Sequence, residues 1–397
     1  MRRTSISMTF GFIIVLLVFS AVVSFFPSLN KYALYGALPL ALVLSFTEVT
    51  ENNLRNVLHN KYIVWFIVLY IWISFTSIYA EYQAEARQQL HEILGVVLLM
   101  AVIVMNGNIK ENYPWLYAVY FFFYVGMMYY AQSNILTKIV IGSERLDDDQ
   151  LNANTVAYYT FYLTYAFFIL AECVKSVFYF KLYRFLFLLT IPLSLIIAFL
   201  TASRQVLIIQ VPLIAILIYS RYMVNSKRSK FWFVALAIIA VIAVSGYVQD
   251  MYEGSYLQER NEYDLEDDPR PMLMQDAIKV GFEHFFTGVG AGNYVRYSYN
   301  AHFSHCTYTE LFANTGILGA IIYIVIVSRL FIVQWKRYRS TKDKMYLYFA
   351  TFFFIFIIDN LFYVFYNSIW LMGFFAIVMM NSSLYYKEHN SSRFIDS

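Results

Sequence analysis

Residues Gly288–Gly319 read GVGAGNYVRYSYNAHFSHCTYTELFANTGILG. Three glycines punctuate a polar loop, two histidines follow, and the stretch then turns apolar and carries on through AIIYIVIV. Such a run belongs to a helix that crosses a bilayer, whose hydrocarbon core of about 30 Å takes about 20 apolar residues. Similar runs recur along the whole chain, so this loop holds its densest cluster of groups able to do chemistry.

Of the 397 residues, 60% are hydrophobic and 14% charged, against roughly a quarter charged in a soluble protein. Most of the surface therefore faces lipid. The runs are continuous rather than alternating, which argues against an outer-membrane barrel. The chain reads as an all-α, polytopic integral membrane protein with about twelve transmembrane helices. Their centres fall near Leu17, Leu40, Ile67, Leu98, Phe122, Tyr162, Leu188, Pro212, Ile238, Tyr323, Phe353 and Phe374. The N-terminal MRRTSISMTFGFIIVLLVFSAVVSFF has a charged start and a long apolar core with no small-residue cleavage site, and is read as a retained first helix. Residues 1–397 form one membrane domain, with 249–304 an extracytoplasmic loop between spans nine and ten.

Lysine and arginine bias sets the orientation. With the N-terminus inside, 20 of the 29 cationic residues fall on cytoplasmic segments, anchored by RYMVNSKRSK and QWKRYRSTKDK. Both termini are then cytoplasmic, and these clusters carry no nucleic-acid role. Cys173 and Cys306 fall on opposite faces and do not bridge.

The outer side carries two longer connections, Gln132–Ala153 and Val248–Ser304. The second begins acidic and solvated. After Arg270, Pro271 suits a first helical turn, and Met274, Ile278, Phe282 and Phe285 recur at helical spacing. A helix over Pro271–Phe286, lying on the membrane or on the bundle, follows.

Several inward-running spans open on polar groups: Arg87 in EARQQLHEI, Arg145 and Asn154 in ERLDDDQLNANTVAYY, Arg204 in TASRQVLII, and His305 in SHCTYTEL. Each helix start offers unpaired N–H groups and the positive end of its dipole. With arginines added, these make an outward-facing anion site suited to phosphate. Arginine at a membrane boundary must pair or reach water. Arg204 is read as a phosphate contact, whereas Arg87, Arg145, Arg270 and Arg296 stand open between substrate and lipid headgroups. A neutral imidazole can take a proton from a hydroxyl, which makes His305, beside Glu310, the candidate base. His284 and His302 read as surface residues, Asp147–Asp149 as solvated rather than metal-binding, and Tyr294, Tyr297 and Tyr299 as an interfacial belt. Gly288, Gly290 and Gly292 let the backbone turn sharply; no strand precedes them, so they are no nucleotide signature. Asp359 and Asn360 end a span, as a cavity lining or as a helix-end pair.

Taken in order, LNANTVAYY, TASRQVLI, the run from Arg270 through GFEHFFTGVGAGNY, and SHCTYTELFANTGILG resemble the motifs of the O-antigen ligase/O-antigen polymerase superfamily of bacterial membrane glycosyltransferases. The likeness covers about 60 residues in motif and most of the chain in architecture. It implies inverting, metal-independent glycosyl transfer at the outer face of the cytoplasmic membrane, from a polyprenyl-diphosphate-linked sugar and without a cofactor. It carries diphosphate binding onto Arg204 and Arg270, and activation of the acceptor hydroxyl onto His305. Cys306 departs from the family, which often has Asn directly after this histidine.

The leading expectation is a polymerase that joins lipid-linked repeat units of a capsule, exopolysaccharide or O-antigen. Arg204, His305 and Glu310 then do the chemistry, while Arg270, Arg145, Arg87, Asn154, Arg296, Gly288 and Gly290 bind substrate. Donor and acceptor are both polyprenyl-diphosphate-linked oligosaccharides, with a chain-length regulator and a flippase as optional further partners. A ligase of the same superfamily is the nearest alternative. A lipid-linked oligosaccharide transporter is the next, disfavoured because the polar residues gather at one face rather than at the midplane.

Overall fold

The computed structural model of the chain describes residues 7–48, 60–141, 153–173, 177–201, 203, 206–210, 214, 217–219, 221, 269–298 and 301–393. Among them every regular element is helical. Seven helices are long and apolar enough to cross a membrane: Ser28–Thr47, Lys61–Tyr79, Gln83–Asn106, Asn154–Cys173, Phe178–Ala198, Thr307–Thr341 and Ile369–Lys387. The chain is thus a polytopic all-α membrane protein. Seven is fewer than the twelve expected. The expected span near Ile238 and most of that near Pro212 lie outside the described residues. The helices at Leu17 and Phe353 form but are only 16 residues long.

The chain divides into two compact units, one of Met1–Gly126 with Pro269–Ser397 and the other of Met127–Asp268. The first holds α1 (Met8–Val23), α2 (Pro27–Tyr32), α3 (Leu38–Glu48), α4 (Lys61–Thr76), α5 (Gln83–Asn106) and the start of α6 (Tyr113–Ile141). The second holds the rest of α6, α7 (Ala153–Cys173) and α8 (Val177–Leu200). The chain returns to the first unit for α9 (Pro269–Glu283), the single turn α10 (Tyr294–Tyr297), α11 (Thr307–Thr341), α12 (Lys344–Asp359) and α13 (Ile369–Arg393).

Local chemistry sets where the helices begin. The Asn60 side chain accepts from Tyr62 N–H at 3.1 Å and opens α4, and Asp343 accepts from Met345 N–H at 3.0 Å and opens α12. Each caps one of the donors a helix start leaves orphaned. Lys342, left-handed at φ 58°, ends α11 and lets α12 fold straight back. Helices in lipid gain little from hydrophobicity and are held by close packing and internal hydrogen bonds. The first unit supplies both. Tyr120 meets Phe374 and Phe356 meets Phe375 with ring centroids 4.4 Å apart. Asn106 donates to Ser45 Oγ at 2.8 Å, and Tyr70 donates to the Tyr366 carbonyl at 3.0 Å. In the second unit α7 and α8 pair, with Phe168 against Phe187 at 5.2 Å.

The expected helix over Pro271–Phe286 appears as α9, which runs from Pro269 to Glu283. Leu273, Ala277 and Val280 are buried against α11, whereas Ile278, Phe282 and Phe285 are exposed. The outward face also carries Gln275, Lys279 and Glu283 and is thus amphipathic, as suits a helix at a membrane boundary.

Candidate functional site

The site grows from a break in α11. At Gly316 (φ 68°, ψ −172°) the backbone leaves helical geometry, in a region that only glycine occupies without strain. The break frees carbonyls and amides, and the loop before the site laces into it. Val289 N–H donates to Ala313 O and Gly290 N–H to Asn314 O, both at 2.9 Å, while Ile317 N–H donates to Phe285 O at 2.8 Å. The contact is reciprocal. A Cβ on Gly288 would lie 2.4 Å from Asn314 C, and one on Gly316 would lie 2.3 Å from Phe286 C. Gly288 N–H is likewise used internally, on His284 O at 2.8 Å. The amides of Gly288 and Gly290 are thus both paired within the fold.

Just before α11 the chain makes an elbow at His305, which is itself left-handed at φ 57°. A non-glycine residue there stores strain that its surroundings must over-determine, and here they do. Ser304 N–H donates to Glu310 Oε2 at 2.7 Å. Ser304 Oγ donates to Cys306 O at 2.9 Å and accepts from Cys306 N–H at 3.2 Å. Thr307 N–H donates to Asn360 O at 2.8 Å, Thr307 Oγ1 donates to Tyr363 O at 2.8 Å, and Phe365 N–H donates back to Thr307 Oγ1 at 2.9 Å. The imidazole is half-buried, its ring centroid 4.2 Å from that of Phe303.

Glu310 is 4% exposed. A buried carboxylate needs donors, and Ser304 N–H and, at 3.4 Å, Asn314 Nδ2 supply them. Asn314 Oδ1 in turn accepts from Tyr294 N–H at 2.8 Å, and Tyr294 OH donates to Leu273 O at 2.6 Å. Burial holds the Tyr294 phenol well above its ordinary range, so it stays a donor. One chain of bonds thus runs from the His305 elbow through Glu310 and Asn314 to α9. Glu310 grips the residue before the histidine and acts through the backbone.

A polar cavity of about 290 Å³ opens beside this elbow. α5 contributes Glu85, Gln88, Gln89 and Glu92; the loops, α10 and α11 contribute Gly292, Val295, Phe303, Glu310, Tyr363, Val364 and Asn367. Asn367 Nδ2 donates to Glu92 Oε2 at 2.7 Å. Arg296 forms an ion pair with Glu85, its Nε 2.5 Å from Oε1. Tyr297 donates to Glu81 at 2.8 Å, and the carboxylate holds that phenol up at about 12.

The α5 and α11 starts thus meet at one end of the first unit, as the helix-start pattern suggested, but the walls are acidic. Arg87 is exposed and donates through Nε to Gln83 O at 3.2 Å. Arg270 sits half-buried in the first turn of α9. Arg204 and Arg145 lie outside the described residues, and so do Asp147–Asp149 and Tyr299. Asn154 is buried at the start of α7, in the second unit. His284 and His302 are exposed. Tyr294 is fully buried rather than part of a belt, and Asn360 caps α12 while accepting from Tyr323 OH at 2.7 Å. Sequence reasoning missed Gln89, Glu92, Phe303 and Asn367. The signal for the first two was present: Glu85, Gln89 and Glu92 form one polar stripe on a membrane helix, where such residues are costly unless they serve a purpose. Among the described residues no three His, Cys, Asp or Glu side chains are grouped to hold a metal.

No curated protein matches the chain. A family model described as O-antigen ligase matches residues 189–324, a segment that includes Arg204, Arg270, His305 and Glu310. Over that segment, about a third of the chain, the protein is similar to the O-antigen ligase/polymerase superfamily, whose members are glycosyltransferase-like enzymes.

Proposed function

We propose that the protein polymerises polyprenyl-diphosphate-linked oligosaccharide repeat units at the outer face of the cytoplasmic membrane, with His305 as general base. The observation that carries this reading is the left-handed His305 elbow, held by hydrogen bonds on both sides and flanked by Phe303 and Glu310, which line a polar cavity. Strain maintained at such a cost in bonds is typical of residues that do chemistry. Orientation follows from charge. Arg337, Arg339, Lys342 and Lys344 cluster where α11 meets α12, at the opposite end of α11 from His305, so the positive-inside rule puts His305 outside.

In the reaction, an acceptor sugar hydroxyl attacks the anomeric carbon of the donor sugar from the face opposite the diphosphate. The new C–O bond forms as the bond to the diphosphate oxygen breaks, and the configuration inverts. His305 takes the hydroxyl proton, and the polyprenyl diphosphate leaves with the bonding pair. Arg204 and Arg270 stabilise the charge that develops on the leaving oxygens. Glu310 positions His305 through Ser304.

The family model's description as a ligase favours a second reading, transfer of glycan to a different acceptor. Purified protein incubated with lipid-linked repeat unit alone separates the two, because only a polymerase makes a ladder without another acceptor. In that assay His305→Ala should cut the rate by about 10²- to 10⁴-fold with the melting transition retained. A full-length ladder from His305→Ala would remove the mechanism.

A further inference from the structure

We propose that the cavity beside His305 is the subsite for the acceptor's terminal sugar, and that it takes a neutral or amino sugar and rejects a uronate. This rests on the glycosyl-transfer reading and adds a substrate class to it.

Glu85, Glu92 and Glu310 line the cavity, and Arg296 pairs with Glu85. Among the described lining residues carboxyl groups therefore outnumber cations, and the walls are rich in acceptors. A pyranose presents several O–H donors, and bonds from these to carboxylates are charge-assisted. A sugar carboxylate would add like charge to a partly desolvated site.

The second observation is independent of the acids. Gln89 is 8% exposed and lines the cavity, and its Nε2 has no hydrogen-bond partner among the described residues. An unmet buried donor is costly. The atom is itself closed to solvent, so a turn of the amide is needed to bring the donor to the cavity, where a ring oxygen, a hydroxyl or an N-acetyl carbonyl supplies the acceptor. Phe303 and Tyr363, with ring centroids 6.3 Å apart and nearly perpendicular, supply the apolar surface that a sugar's C–H face covers. The volume, about 290 Å³, lies at the small end of ligand sites and suits one sugar ring with a few waters.

The test uses full-length protein in a detergent without a sugar headgroup, with methyl glucoside, methyl N-acetylglucosaminide and methyl glucuronide at millimolar concentration. Saturation-transfer NMR reads binding. The two uncharged glycosides should receive saturation, with the glucuronide about tenfold weaker. Gln89→Met, close in shape but without the donor, should abolish transfer. Glu92→Gln keeps an acceptor for Asn367 and removes one charge, and should raise the glucuronide towards the others. No transfer to any glycoside, equal transfer to all three in the wild type, or an unchanged pattern in Glu92→Gln would each overturn the proposal. Should Gln89→Met lose its melting transition, the Glu92→Gln arm decides alone. Binding here needs neither donor nor turnover. Absent transfer with a ladder that depends on His305 removes the subsite alone, and transfer with a ladder indifferent to His305 removes the mechanism alone.

Discussion

Two cavities share one helix. Along its first turns α5 turns Glu85, Gln89 and Glu92 to the polar cavity, and from Leu90 onward it turns Leu94, Val97, Met100 and Ala101 to a second cavity of about 630 Å³ that α3 and α4 also line. The second is twice as large and almost wholly apolar, with Ser74 and Tyr70 as the lining residues that carry a hydroxyl. Size alone would rank it first, but chemistry ranks it second. In a bilayer an open apolar groove is filled by lipid and needs no other occupant, whereas polar side chains on a membrane helix are expensive and call for a purpose. The polar cavity is fixed by directional bonds and close backbone contacts. The apolar one is bounded by side chains that any similar volume could replace. The two should therefore respond to mutation in opposite ways.

The largest effect is expected where the polar site is built on backbone contact. Gly316→Ala puts a Cβ 2.3 Å from the Phe286 carbonyl carbon at a φ of 68°. The conformation alone costs about 3 kcal/mol, and the clash adds to it. The melting midpoint in detergent should fall by about 5 °C or more, with the ladder lost alongside. A variant that melts like the wild type would mean that the loop and the α11 break are not locked together.

Next comes Glu310→Gln. The amide can still accept from Ser304 N–H, but the charge-assisted bond becomes an ordinary one. The His305 elbow loosens, and small displacements of a catalytic group cost rate steeply. kcat should fall about tenfold. A rise in acceptor KM with kcat unchanged would make Glu310 a wall of the sugar subsite and not a support of the His305 elbow.

The sequence made the apolar runs legible and, with them, the membrane fold, because that signal is local and repeated. It also marked the His305 stretch, where polar residues interrupt lipid-soluble helix. What it could not show is non-local. Arg296 stood as a cation open to phosphate until its pairing with Glu85, 211 residues away, was visible. The glycines at 288 and 290 suggested a turn, but that the turn fills a break at Gly316 depends on two segments meeting. Which side of α9 packs inward is non-local too, since spacing marks an apolar stripe but not the partner that covers it. Phe282 and Phe285 face out, while the smaller Ala277 and Val280 pack in.

The smallest effect is expected in the larger cavity. Leu94 lines it and is 40% exposed. Leu94→Trp adds bulk into open space rather than into a packed core, so the overpacking cost of about 1–3 kcal/mol does not arise. The ring displaces lipid and meets an apolar wall of similar character. Ladder length and rate should stay within about twofold of wild type, since uniform apolar contact supplies no transition-state stabilisation. The comparison breaks if this variant stops polymerisation while its melting midpoint holds. The groove would then have to hold a lipid chain that the reaction needs, and its contents would no longer be interchangeable with bulk lipid. Repeating the substitution at Val97, one turn further along α5 and also in the groove, would show whether the effect follows the cavity or the single side chain.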